Sequence, residues 1–363
     1  MNILVTGSNG FIGKHMCLLL KKNGHNVFEY DLNSGYSEYK EFISKCDFVI
    51  HLAGINRALV VDELYVGNAL FTEQLANALK SRNVPIIFSS SIQASLDNDY
   101  GQSKKMAEEY LFSSGLPVYV YRLANVFGKW AKPNYNSAFA TFCYNIAHEL
   151  DIEIRDKEYV VKYNYIDDVV NEFLKIVELK EHKGNKEILY INPTYECSLG
   201  KLSELLYYFK GEIESERHLP LIHNEFELKL FKTFCNYLSD EGYSFNSVID
   251  NRGSFEELYK SKKWGQISEN IINVGITKGG HYHKYKKEIF ETVVGETEIK
   301  ERNISNNELL EYTVNGNNPT KVDILVGYTH QIKNIGKEKS HTLMWISEIY
   351  NPNTEDTYKE DVE

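Results

Sequence analysis

The 363-residue sequence has no CxxC pair, no internal repeat, no low-complexity tract and no apolar run approaching the ~20 residues that span a bilayer. Its five cysteines, Cys17, Cys46, Cys143, Cys197 and Cys235, are odd in number and scattered, which speaks against a disulfide framework and against a cysteine zinc site. A reducing compartment fits. The opening residues, MNILVTGSNGFIG, carry no basic leader, so the expectation is a soluble cytoplasmic protein without a membrane partner. Positive charge is also short, 40 Lys+Arg against 51 Asp+Glu for a net of -11, which disfavours nucleic acid as a partner.

What is present describes an ordinary globular chain, 42% hydrophobic and 25% charged, long enough for two cores. The 26 tyrosines suit barrel strands and polar pockets, or reflect a compositional bias. In the first half, short apolar runs alternate with helical spacing. Strands are predicted at residues 3–6, 26–30, 48–52, 86–88 and 118–121, and helices at 11–23, 62–81, 100–113 and 137–149. This is a doubly wound parallel α/β sheet. After about residue 245, short alternating segments with Gly, Asn and Pro turns predict an antiparallel barrel or sandwich. Helices at 199–209 and 225–237 should finish the first domain and lead to the second, with the boundary between residues 243 and 244, and the acidic tail after Asn353 should be a solvated end.

Gly7, Gly10 and Gly13 sit where the first strand hands over to the first helix. A dinucleotide pyrophosphate must approach the backbone there and lie on the helix N-terminus, which only glycine permits. Asp31 closes the second strand, where a carboxylate hydrogen-bonds a ribose 2′-OH and repels a 2′-phosphate. Asn9 adds no charge for such a phosphate. These residues lean toward NADH.

Ser89-Ser90-Ser91 ends the fourth strand, and Tyr100-Gly-Gln-Ser-Lys104 opens the next helix, one turn placing Tyr100 and Lys104 on one face. A neighbouring ammonium stabilises a phenolate and brings the tyrosine toward a working pKa as an acid, while a serine hydroxyl holds the substrate oxygen.

With TGSNGFIG, HLAG at 51–54, Asn68 in a helix, SSS, YGQSK, RLANVFG at 122–128 and YIDDVV at 165–170, residues 1–240 resemble the extended short-chain dehydrogenase/reductase family of nucleotide-sugar enzymes. The resemblance implies a Rossmann fold holding NADPH or NADH at Gly7, Gly10, Phe11, Ile12, Gly13, Asp31, Leu52, Ala53, Gly54 and Asn68. It implies Tyr100 as acid, Lys104 on the nicotinamide ribose and Ser91 or Ser90 orienting substrate. Asn125 and the loop containing Asn134, Tyr135 and Asn136 would lie toward the sugar nucleotide.

In the second half, His281 and His283 alternate and so face one side of a strand, and Glu288 and His330 can complete a cage from neighbouring strands. Three imidazoles and a carboxylate suit one divalent ion, zinc first, with manganese, iron or nickel as alternatives. The spacing resembles the two cupin motifs. One departure is Leu325, where a proline often precedes the second motif's glycine. The segment 250–255, DNRGSF, resembles the leading strand of the sugar-nucleotide 3-epimerase branch of cupins. Both halves together, with GKWAKPNYNS, AFATFCYNIA and VGYTHQIKN, resemble bifunctional capsular polysaccharide biosynthesis enzymes over nearly the whole chain.

That resemblance implies a homodimer acting on a UDP-linked 4-keto-6-deoxy-N-acetylhexosamine. The cupin would epimerise C3 and the Rossmann domain would then reduce C4 to a UDP-N-acetyl-6-deoxy-talosamine, on the route to UDP-N-acetyl-L-fucosamine. The C3 proton is acidic only while C4 is a ketone, and a metal ion stabilises the enolate as a Lewis acid. Lys278, Tyr282 and Tyr328 are candidates for moving that proton. Two rivals stay open: a monofunctional reductase or 4,6-dehydratase with a structural cupin, and a non-catalytic sugar-nucleotide sensor.

Overall fold

The computed structural model describes residues 1–214, 218–238, 247–351 and 356–363. The chain forms two compact units, Met1–Tyr207 with Asn224–Ser239 and Tyr208–His223 with Asp240–Glu363. Residues 208–214 and 218–223 fall in the second unit, whereas the sequence reading puts them in the first. The expected boundary at 243/244 lies outside the described residues.

The first unit runs β1 (Asn2–Thr6), α1 (Phe11–Lys22), β2 (Asn26–Tyr30), α2 (Tyr36–Lys45), β3 (Phe48–His51), α3 (Val61–Leu64), α4 (Phe71–Leu79), β4 (Ile86–Ser91), α5 (Asp99–Ser113), β5 (Val118–Leu123), β6 (Asn125–Phe127), α6 (Ala138–Ala147), β7 (Val160–Tyr165), α7 (Ile166–Val177), β8 (Tyr195–Ser198), the start of α8 (Leu199–Glu214) and α9 (Glu225–Cys235). β1 to β5 form a parallel sheet in the order β2-β1-β3-β4-β5. Helices α1 and α7 pack together, as do α4 and α5, which gives the doubly wound sheet expected. Leu4, Val49, Ile86, Phe88 and Val120 are buried against Leu75, Leu79 and Leu111, and this two-sided burial is why the strands read as continuous apolar runs. The strand order reverses between β1 and β3. Their carboxyl ends therefore open the crevice in which such sheets bind ligands.

Three departures matter for the site. β4 runs to Ser91, three residues past the expected end, because Ser89, Ser90 and Ser91 pair with Tyr121, Arg122 and Leu123 of β5. The helix expected over 62–81 is interrupted by a π-helical segment, Tyr65–Leu70, where the Phe71 amide bonds the Val66 carbonyl. α2, α7 and the small sheet β6-β7-β8 were not foreseen: α2 buries only Ile43, and β6 has three residues, so neither presents a strong periodic signal.

The second unit is two antiparallel sheets, as a cupin is. In chain order its strands are β9 (Ser247–Asp250), β10 (Gly253–Ser261), β11 (Gly265–Ile272), β12 (Thr277–Tyr282), β13 (Glu288–Val294), β14 (Glu296–Asn303), β15 (Leu309–Asn315), β16 (Lys321–Ile324), β17 (Tyr328–Asn334), β18 (Ser340–Ile346) and β19 (Tyr358–Lys359). One sheet has the order β16-β13-β18-β11-β10-β9 and the other β15-β14-β17-β12-β19. Ile272, Phe290, Ile299, Val314, Ile332 and Met344 form the core. The tail is no solvated end. β19 pairs with β12, Val362 is buried, and the Asp356 carboxylate accepts the amides of Lys284, Tyr285 and Lys286.

Candidate active sites

The glycine-rich turn packs closely on the loop after β3. Gly7 has φ +69°, and a Cβ there would lie 2.8 Å from the Ala53 nitrogen, so the turn rests directly on the Leu52-Ala53 backbone. The Gly10 amide donates to the Gly7 carbonyl at 3.0 Å, and no side chain caps α1, which leaves the first-turn amides at Phe11 and Ile12 for an anion. Asp31 stands at the end of β2 and accepts the Asn9 amide (2.7 Å) and the Leu32 amide (2.8 Å). It thus braces the turn, with carboxylate lone pairs left for a hydroxyl.

Gly54 packs onto two further candidates: a Cβ on it would lie 2.7 Å from Asn68 Oδ1 and 3.0 Å from Lys104 Nζ. Asn68, in the π-helical segment, accepts the Ile55 amide (2.8 Å) and donates to the Ile55 carbonyl (2.9 Å) and to Ser103 Oγ (2.9 Å). Lys104 is buried, donates to the Ser89 carbonyl at 3.1 Å and stands over the Phe88 ring. Burial lowers its ammonium to about 8, against the opposing pull of Glu108. Burial also raises the Tyr100 phenol, and the Ser91 hydroxyl, hydrogen-bonded to it, works the other way.

Of the two serines expected to orient substrate, Ser90 is turned away from Tyr100. Alternation along β4 turns it to the face opposite Ser89 and Ser91, where its hydroxyl donates to buried Glu108. Glu108 in turn holds half-buried Arg122 through two bonds of 2.9 and 2.6 Å, a pair that no sequence motif announced. Ser91 is the serine left beside Tyr100. Asn125 lies at the edge of β6 with its amide on the Lys162 carbonyl. Asn134 takes φ +55° and its amide bonds Thr141 Oγ1, Tyr135 is exposed under Lys132, and Asn136 precedes Ser137, which caps α6.

In the second unit, one ligand atom from each of His281, His283, Glu288 and His330 lies within 4.8 Å of all the others. β12 and β17 pair His281 with His330, and β13 begins at Glu288. Glu288 Oε2 is 3.1 Å from His330 Nε2 and 3.5 Å from His283 Nε2, yet it is buried without a well-directed hydrogen bond. A buried carboxylate oxygen aimed into three imidazoles suits a divalent cation. Burial lowers His281 to about 4, which keeps it an unprotonated ligand. Burial would raise Glu288, but His283 and His330 outweigh it and hold it well below the usual carboxylate range. His283 Nδ1 bonds the Asp356 carbonyl, which leaves Nε2 for an ion.

A cavity of about 320 Å³ opens beside this group, its wall including His281, His330, Lys278, Asn270 and Arg252. Of the three proton-transfer candidates, Lys278 lines it, bonded to the Ser254 carbonyl, Asn270 Oδ1 and the Ile271 carbonyl. Tyr282 stacks on Tyr358 and Tyr328 reaches toward Glu308, so the structure brings neither to the cavity wall. Leu325 also has a reason to differ from proline: its amide donates to buried Glu301 at 2.8 Å.

Residues 3–191 match the NAD dependent epimerase/dehydratase family, and residues 248–358 match the polysaccharide biosynthesis C-terminal domain. The chain is 38% identical to the UDP-2-acetamido-2,6-beta-L-arabino-hexul-4-ose reductase of Pseudomonas aeruginosa, across 99% of this chain and 98% of that one. It is similar to the capsular polysaccharide assembling protein CapF of Staphylococcus aureus at 39% identity and a TM-score of 0.90, covering 99% of this chain and 100% of that one. The UDP-glucose 4-epimerase of Thermotoga maritima, at 24% identity and a TM-score of 0.55, covers 65% of this chain and 98% of its own, a likeness of fold alone.

Proposed function

This chain belongs to the NAD dependent epimerase/dehydratase family, and from that membership we propose that it is a UDP-sugar reductase whose second unit is a metal-dependent 3-epimerase. Its substrate is a UDP-linked 4-keto-6-deoxy-N-acetylhexosamine, epimerised at C3 and then reduced at C4 to a UDP-N-acetyl-6-deoxy-talosamine for capsule or O-antigen synthesis. The protein works as a homodimer in the cytoplasm.

The observation that carries the reductase reading is Ser91, Tyr100 and Lys104 gathered at the carboxyl end of β4, beside Gly54, which follows the Leu52-Ala53 backbone on which the glycine-rich turn rests. A reduced nicotinamide held at the glycine-rich turn would supply hydride for C4 when bound. Tyr100 supplies the proton to the C4 oxygen and recovers it from solvent, Ser91 holds that oxygen, and Lys104 holds the cofactor ribose. In the second unit His281, His283, Glu288 and His330 would hold the divalent ion, which supplies Lewis-acid polarisation of the C4 carbonyl. Lys278 lines the same cavity as His281 and His330.

Reduction removes the ketone that makes the C3 proton labile, so epimerisation comes first and the two steps are separable. In deuterated water, Tyr100→Phe should still exchange deuterium into C3 of the keto sugar while consuming almost no reduced cofactor. His283→Ala should stop the exchange and leave reduction of an epimerised ketone largely intact. Loss of exchange in folded, metal-loaded Tyr100→Phe would move both steps to the Rossmann unit.

A further inference from the structure

His51, wholly buried at the end of β3, has no part in the chemistry above, yet it sits in the middle of a hydrogen-bond chain whose direction can be worked out bond by bond. Thr72 Oγ1 lies 2.5 Å from the Asn68 carbonyl, and a carbonyl only accepts, so the Thr72 proton points to Asn68. Thr72 must then accept from its other neighbour, His51 Nε2, at 2.9 Å. That places the imidazole proton on Nε2. In the neutral ring Nδ1 is therefore an acceptor, and its partner at 2.7 Å, Thr6 Oγ1, donates to it. Thr6 Oγ1 in turn accepts the Ala53 amide at 3.2 Å. Thr6 and Thr72 are as buried as the histidine.

The chain thus runs one way, from the Ala53 amide through Thr6, His51 and Thr72 to the Asn68 carbonyl. Both ends are cofactor-side candidates. The far end enters the π-helical segment, whose Asn68 side chain clamps Ile55 and Ser103, the residue before Lys104. Buried polar chains polarise bond by bond, and one wrong tautomer leaves a group unsatisfied. π-Helical turns are costly to hold and occur at functional sites.

We propose that His51, as the neutral Nε2–H tautomer, is a positioning residue of the reductase site that holds the Asn68 segment, and through it Lys104, in register with the Leu52-Ala53-Gly54 loop. The proposal rests on the reductase reading, but its first test does not. In the full-length protein labelled with ¹⁵N-histidine, His51 should show the Nε2–H pattern and not titrate between about pH 6 and 8; an Nδ1–H pattern or a titrating His51 overturns the proposal.

The second test is turnover. Thr72→Val keeps the shape and breaks the chain, and should lower kcat about tenfold, the size of one buried hydrogen bond, with the sugar KM unchanged. Thr72→Ser, which keeps the hydroxyl, should restore kcat to within about twofold by the same reckoning. Equal rates for the Val and Ser variants overturn the proposal. Should Thr72→Val not fold, the Thr6→Val and Thr6→Ser pair asks the same question from the other end. A wild type that turns over no cofactor sinks the reductase reading and leaves the tautomer result to decide the structural half.

Discussion

Gly13 is packed against the carbonyl of Gly7 so closely that a Cβ on it would lie 2.1 Å from that oxygen. The first turn of α1 and the loop that feeds it can touch only because position 13 carries no side chain.

Gly13→Ala should therefore destabilise the first unit by about 1–3 kcal/mol, as overpacking does, and weaken cofactor binding at least severalfold. Urea unfolding and titration of reduced-cofactor fluorescence measure the two effects. A Cβ at Gly211 in α8 meets nothing within 4 Å among the described residues, and Gly211→Ala should instead stabilise by about 0.5–1 kcal/mol. Equal effects at the two positions would contradict the packing argument.

Cofactor choice follows from Asp31. The wild type should use NADH measurably, and Asp31→Arg should shift preference toward NADPH by exchanging repulsion for attraction at a 2′-phosphate. Because Asp31 also holds the Asn9 amide, Asp31→Asn serves as the variant that removes the charge and keeps an acceptor. Steady-state rates with both cofactors decide it: strict NADPH dependence, unchanged by Asp31→Arg, would remove this role.

The histidine cluster should hold about one divalent ion per chain, as a single four-ligand cage does. Elemental analysis after dialysis should find it, His283→Ala should reduce it, and a chelator should lower the thermal midpoint of the second unit, since an ion that binds only the folded state stabilises it. A metal-free wild type with full C3 exchange would refute the cage.

His51 also predicts a pH dependence. Burial lowers it to about 3, whereas an unfolded histidine titrates near 6.5. Between those values the unfolded state binds a proton that the folded state does not, so this stabilisation is complete above about 6.5 and drains away as pH falls toward about 3. The slope is about 1.4 kcal/mol per pH unit. Replacing His51 with glutamine should flatten the stability profile by that slope between about pH 4 and 6, read from denaturant curves at several pH values. An unchanged slope would mean that His51 charges inside the fold.

The parallel strands and the glycine turn were legible because two-sided burial writes continuous apolar runs and because a strand, a turn and a helix must follow in order. The pairing of His281 with His330 was legible in outcome only. Alternation placed His281 and His283 on one side, but nothing local says that Glu288 and His330 come to meet them. Ser91 and Ser90 stay alternatives in the sequence because three serines in a row look alike until the pleat of β4 sends the middle one to Glu108. The π-helical segment and the role of His51 left no trace, since Thr6, His51, Thr72 and Asn68 make sense only together and lie on three separate stretches of chain.

The pairing of β12 with β19 has a kinetic consequence. His283 and the Asp356 carbonyl that fixes its ring are 73 residues apart, and His281 meets Lys359 across the same ladder. Closing so long a loop must precede any reward from the contact, which slows the step. During synthesis β12 waits for its last neighbour until residues 356–359 have been made, so the finished cluster of His281, His283, Glu288 and His330 should be among the latest features to form. Metal supplied early would meet a looser, exchangeable set of imidazoles, and slow burial of the ion, rather than its capture, would limit the approach to the finished barrel.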